Sequence, residues 1–184
     1  MDYNDIKARL SRTLSSLNER FDDDIIKYMV IEEWANGEGV SITFGGESEE
    51  VLLNRIMVIL YNLASLKDHI KNKLSIKGHN PAIVESEIDN SLHLQVLIDI
   101  VNQEKHGTPL RKTRSNKGPV IRYPEQGYFP FRKHPSTDAD DESGTIVIHA
   151  LIKDSAENIL FQLDDLVDTC FEKWEKVIAA YGLV

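Results

Sequence analysis

Cysteine is almost missing: Cys170 is the single one in 184 residues. An internal disulfide and a zinc site built from several thiolates are thereby excluded. Glycine and proline are sparse, at 10 and 6, too few for a fibrous or low-complexity chain, and Leu, Ile and Val are too frequent for a disordered one. No apolar run approaches the roughly 20 residues that cross a bilayer. The opening Met1-Asp2-Tyr3-Asn4-Asp5 carries neither the basic nor the apolar stretch of a secretory leader. A cytoplasmic protein with no membrane partner is expected. Phosphate-cradling loops are missing as well. Gly37-Glu38-Gly39 lacks the third glycine, and Gly45-Gly46 lacks the lysine that would make either a nucleotide site. The histidines, His69, His79, His93, His106, His134 and His149, form no His-Glu-x-x-His pair. Neither a metal site nor a cofactor is expected, and Cys170, inside an apolar stripe, reads as a buried small hydrophobe.

What remains is a chain 41% hydrophobic and 28% charged, long enough for one domain, 1–184, that buries about 70% of its unfolded surface. Helical periodicity dominates. Ile6, Leu10, Leu14, Leu17, Phe21, Ile25 and Tyr28 recur at steps of three and four, predicting one long helix or two between Asn4 and Ala35, with Asp22-Asp23-Asp24 as the joint. Val40, Ile42 and Phe44 alternate with polar residues as a short strand. A second helix is expected from Ser48, its N-cap, to about Leu74, and a third from Asn80-Pro81 to His106, stopped by Gly107. Residues 107–152 break the helical pattern. Most of the prolines fall there, with two extended candidates, Val120–Tyr123 and Tyr128–Phe131, and the strongest strand, Thr145–Ile152. A last helix is expected from Asp154 or Ser155, with Glu157 completing a capping box. The fold class is therefore mainly α: a four- to five-helix bundle with a small antiparallel β element inserted before the C-terminal helix.

Charge is segregated. From Lys105 to Lys133 eight cations stand against the single acid Glu125, an excess of about seven positive charges in a chain whose net charge is -9. That asymmetry within one chain is its most informative compositional feature. Lys105, Arg111, Lys112, Arg114 and Lys117 are interleaved with small polar residues and followed by Tyr123, Tyr128, Phe129 and Phe131. Cations plus aromatics of this kind hold a single strand by backbone attraction and base stacking. The plainer reading is a solvated loop whose aromatics pack onto the bundle, neutralised by Asp22–Asp24 or Asp138–Glu142. Just before it, Asn102 and His106 are four apart and share a helix face with Lys105 close by. These three are the candidate catalytic group, with His106 as acid/base. The alternative is simple helix capping by Lys105 and His106, with Asn102 bonded to a neighbouring helix. Asn62, Ser65 and His69 form a further polar stripe, read as an interhelical hydrogen-bonded network.

The layout, the run Leu-Asp-Asp-Leu-Val-Asp-Thr-Cys-Phe-Glu-Lys-Trp-Glu and the pair Asn102 and His106 resemble the HEPN superfamily of small helical bundles, found in toxins, phage defence and RNA processing. Active members of that family carry Arg-Asn-x-x-x-His at the end of a long helix, where two protomers meet and cleave RNA without metal. Val101 stands where the motif has its arginine. The resemblance therefore implies a homodimeric, degenerate module that binds RNA or a nucleotide phosphate, in a defence or toxin-antitoxin context. The alternatives are a protein-interaction or structural homodimer with no nucleic-acid ligand, and a weak metal-independent ribonuclease using His106.

Overall fold

A computed structural model describes residues 29–33, 40–44, 48–107, 109–130 and 144–183, of which 29–33, 40–44, 126–130 and 144–147 are described by their backbone. The element order is β1 (Met29–Glu33), β2 (Val40–Phe44), α1 (Glu49–Ile76), α2 (Ala82–Asp89), α3 (Leu92–His106), β3 (Val120–Pro130), β4 (Gly144–Lys153), β5 (Ile159–Gln162) and α4 (Leu163–Ala180). Four helices and a small antiparallel sheet before the last of them make the described part mainly α, the expected class. None of these helices is long and apolar enough to cross a membrane.

β1 and β2 form an antiparallel pair in register Met29↔Phe44 to Glu33↔Val40. The expected strand Val40–Phe44 thus has its partner, but in residues read as the end of a helix running to Ala35. Met-Val-Ile-Glu-Glu has both β-branched content and helix formers, and cross-strand pairing decides for the strand. The remainder of that helix reading, with Asp22–Asp24, lies outside the described residues, as do Phe131 and Asp138–Glu142.

α1 begins where its capping residues say it should: Ser48 Oγ accepts the Val51 N–H, and Glu49 and Glu50 occupy the first turn. The expected third helix is in fact two. Asn90-Ser91 interrupts it, Ser91 Oγ accepts the Leu94 N–H, and α3 restarts there. Short polar side chains that compete for backbone hydrogen bonds outweigh the continuous apolar periodicity at this point. Pro81 rather than Asn80 stands at the N-cap position of the first piece, one residue later than expected, while Asn80 Oδ1 accepts the Ala82 N–H at 3.0 Å. α3 ends at Gly107, whose φ of 63° closes the helix in the left-handed region.

The capping box at Asp154 does not form. The Asp154 carboxylate instead accepts from the N–H groups of Ala156 and Asn158, both at 2.9 Å, closing a tight turn. That turn makes β4 and β5 a hairpin, with Leu151↔Gln162 and Ile152↔Phe161 paired, so α4 starts nine residues or so later than read, at Leu163. The sheet order is β3-β4-β5; the two extended candidates are one strand, β3, and Val40–Phe44 has no part in this sheet.

The core lies between α1, α3, α4 and the inner face of β4. Ile56, Leu60, Leu63, Leu66 and Ile70 meet Leu94, Leu97, Ile152, Leu166, Cys170 and Trp174, all buried. The Trp174 indole N–H donates to the Leu63 carbonyl at 3.2 Å, so the largest core side chain is also satisfied. Cys170 is buried as expected, and desolvation pushes its thiol pKa far up. Ser65 Oγ donates to the Asn62 carbonyl within its own helix at 2.8 Å.

Candidate nucleic-acid interface

The segment that leaves α3 is tied down from below. Asp99 sits mid-helix within Leu97-Ile98-Asp99-Ile100-Val101 and is 2% exposed. A carboxylate in that position is costly unless hydrogen-bonded, and the loop supplies the donors. Arg114 N–H reaches Oδ1 at 2.7 Å, while Ser115 N–H and Oγ–H reach Oδ2 at 2.8 and 2.6 Å. Two further bonds complete the anchorage. Gly118 N–H donates to Thr113 Oγ1 at 3.3 Å, and Gln103 Nε2 donates to the Pro119 carbonyl at 2.8 Å. Thr113 and Ser115 are buried accordingly.

Arg114 points the other way, into α2. Its guanidinium donates to Glu85 Oε2 at 2.6 Å and to Asp89 Oδ1 at 2.7 and 2.8 Å. Lys71 from α1 joins the other Glu85 oxygen. The hydrogen bond from Lys71, with that from Arg114, holds the Glu85 carboxyl down at about 2 against the opposing effect of burial. For Arg114, burial disfavours the charge, but the hydrogen bonds to Glu85 and Asp89 outweigh it and raise its pKa. This fork matches two carboxylates at once, which is guanidinium chemistry. Arg114, expected among the ligand-binding cations, is instead neutralised within the chain, because the loop that carries it is anchored on Asp99 of α3 and its side chain reaches the carboxylates of α2.

The other cations fare differently. Lys105 and His106 are exposed on the last turn of α3, and Arg111, Lys112 and Lys117 are exposed on the loop. Among the described residues none of the five takes part in an ion pair. Asn102 is half-buried one turn before His106, and Val101, at the motif's arginine position, is buried in the core. The structure therefore brings Lys105 and His106 together at a helix end with a basic loop leaving from it, and separates Arg114 from the set. Among the described residues no group of three His, Cys, Asp or Glu side chains is placed to hold a metal ion.

Asp99, Gln103, Glu85 and Asp89 are the supporting residues that the sequence reading passed over. One signal was present: a single acid embedded in four apolar helical residues announces a buried carboxylate with partners elsewhere. No family model, curated protein or solved structure matches the chain.

Proposed function

We propose that this protein is a non-catalytic RNA-binding module that grips the phosphate backbone with Lys105, His106, Arg111, Lys112 and Lys117. The observation that carries the reading is that these five side chains stay exposed and unpaired among the described residues, two on the last turn of α3 and three on a loop anchored by a buried carboxylate. A loose cationic loop loses conformational entropy on binding, whereas one already fixed by Asp99 loses less, which favours affinity. The net charge of -9 does not oppose this. At physiological salt the screening length is about 8 Å, so a bound phosphate responds to the cations it touches more than to distant acids.

The non-catalytic part of the proposal rests on chemistry at the helix end. Acid/base work by an imidazole needs a second group to stabilise developing phosphate charge. Val101 offers no donor there and is packed in the core. The homodimer implied by the family resemblance belongs to the same proposal, and sedimentation of the full chain tests it.

The binding test is fluorescence anisotropy of a labelled single-stranded RNA at low salt. The expected result is binding that weakens steeply with salt, disappears in Arg111→Glu/Lys112→Glu, and leaves the RNA intact. Absence of binding at low salt overturns the proposal. Metal-independent cleavage that vanishes in His106→Ala replaces it with the ribonuclease reading.

A further inference from the structure

The sheet beside the basic loop turns an aromatic ring outward at a strained position. β3 and β4 pair regularly from Val120↔Lys153 to Arg122↔Leu151, then resume at Glu125↔His149. Two residues, Tyr123 and Pro124, therefore oppose one, Ala150, in a β-bulge. A regular pleat would set Tyr123 on the same face as half-buried Ile121, opposite Ala150, which is 4% exposed. Instead Tyr123 adopts a φ of 52°, a left-handed conformation that an aromatic residue rarely takes, and the residue is 59% exposed.

The ring is held where it stands. The Lys153 ammonium lies 4.9 Å from its centroid. Glu157, itself at a φ of 64°, binds Lys153 at 3.4 Å and Arg122 at 3.0 Å, tying the cation to the strand that carries the ring. The same turn touches the basic loop: Ser155 N–H donates to the Lys117 carbonyl at 2.9 Å, and Gly118 packs against Ser155. Strain of this kind persists where surrounding contacts over-determine it, and bulges re-aim side chains at functional sites.

We propose that Tyr123 is a stacking platform for an unpaired base, so that the RNA held by the basic loop is single-stranded. Duplex RNA keeps its bases stacked on one another and offers no free face to a tyrosine. The inference rests on the RNA-binding reading above, and deepens it by naming the form of RNA. One face of the ring meets the cation, and the exposed area is available to a base whose phosphates run toward Lys117 and the loop cations.

The test compares a labelled oligouridylate with an abasic oligonucleotide of equal length, both against the full-length protein at low salt. Tyr123→Leu is expected to weaken oligouridylate binding about tenfold while leaving the abasic backbone unaffected, and Tyr123→Trp is expected to restore the difference. Equal oligouridylate binding by wild type and Tyr123→Leu overturns the stacking role while leaving backbone binding in place. An equal loss on both probes in Tyr123→Leu, not rescued by Trp, overturns it too, since it marks a purely structural residue. A wild-type protein that binds neither probe removes the RNA-binding reading, and this inference with it.

Discussion

Arg111 and Arg114 stand three residues apart in one basic loop, yet the molecule treats them as opposites. Arg114 is folded onto Glu85 and Asp89 of α2, while Arg111 is left in water with Lys112 beside it. The difference is set by the next residues along. Asp99 takes the backbone N–H groups of Arg114 and Ser115, which fixes the loop over α3 at that point and brings the Arg114 side chain within reach of α2. Three residues earlier no such anchor acts on Arg111 among the described residues. Clusters of like charge in a sequence thus divide, once folded, into charges used for holding the chain and charges left exposed, which the proposal assigns to RNA.

The sharpest way to break this division is at Asp99. Asp99→Ala leaves the buried N–H and hydroxyl of Ser115 and the part-buried N–H of Arg114 without an acceptor, and the expected loss is about 3 kcal/mol of stability, read by denaturant unfolding. RNA binding should weaken in the same variant, because the loop is no longer pre-organised. A loss below about 1 kcal/mol would mean the loop holds its shape without the carboxylate. Next in size is Arg114→Ala, which strips the cation from a site where two carboxylates converge. About 2 kcal/mol of stability should go, with little change in the salt dependence of binding, since that charge is already neutralised. The converse is expected of Arg111→Ala/Lys112→Ala. Its stability should stay within about 0.5 kcal/mol of wild type, while the slope of log affinity against log salt falls by about 1.4, roughly 0.7 for each lost single-strand phosphate contact.

These contrasts explain how far the residues alone could be read. The start of α1 and the end of α3 were legible because their apolar stripes and caps, Ser48 and Gly107, act within one or two turns of chain. The β4–β5 hairpin was not, because Asp154 serves equally well as an N-cap or as the acceptor of a closed turn. Only the pairing of Ile152 with Phe161 decides between them. The same limit applies to the candidate site. Lys105 and His106 sit at a helix end that local signals define. The pairing of Arg114 with Glu85 and Asp89 spans 25 to 29 residues and depends on how α2 lies beside the loop. Arginines left exposed and arginines that bind the chain are written with the same letter.

The finest test of the holding half is its response to acid. Glu85 ionises at about 2 rather than at its usual 4.5, chiefly through the hydrogen bond from Lys71 and then that from Arg114, with burial opposing. A carboxylate whose pKa is depressed by folding contributes stability that is complete above 4.5 and is lost as the pH falls from there through about 2. The shift alone would set an upper bound near 3 kcal/mol, but the Glu85 side chain is 38% exposed, and solvent screening reduces the expected contribution to about 1 kcal/mol. Glu85→Gln should therefore be less stable than wild type by that amount at pH 6. The two denaturation midpoints should draw together between pH 4.5 and 2, since the variant has no carboxylate to protonate there. RNA binding at pH 7 should be unchanged, because Arg114 lies outside the binding set. Midpoints that stay a constant distance apart across that range would show that the Lys71–Glu85–Arg114 contact contributes through shape rather than charge. A simultaneous rise in RNA affinity would mean that Arg114, once released, joins Arg111 on the other side of the division.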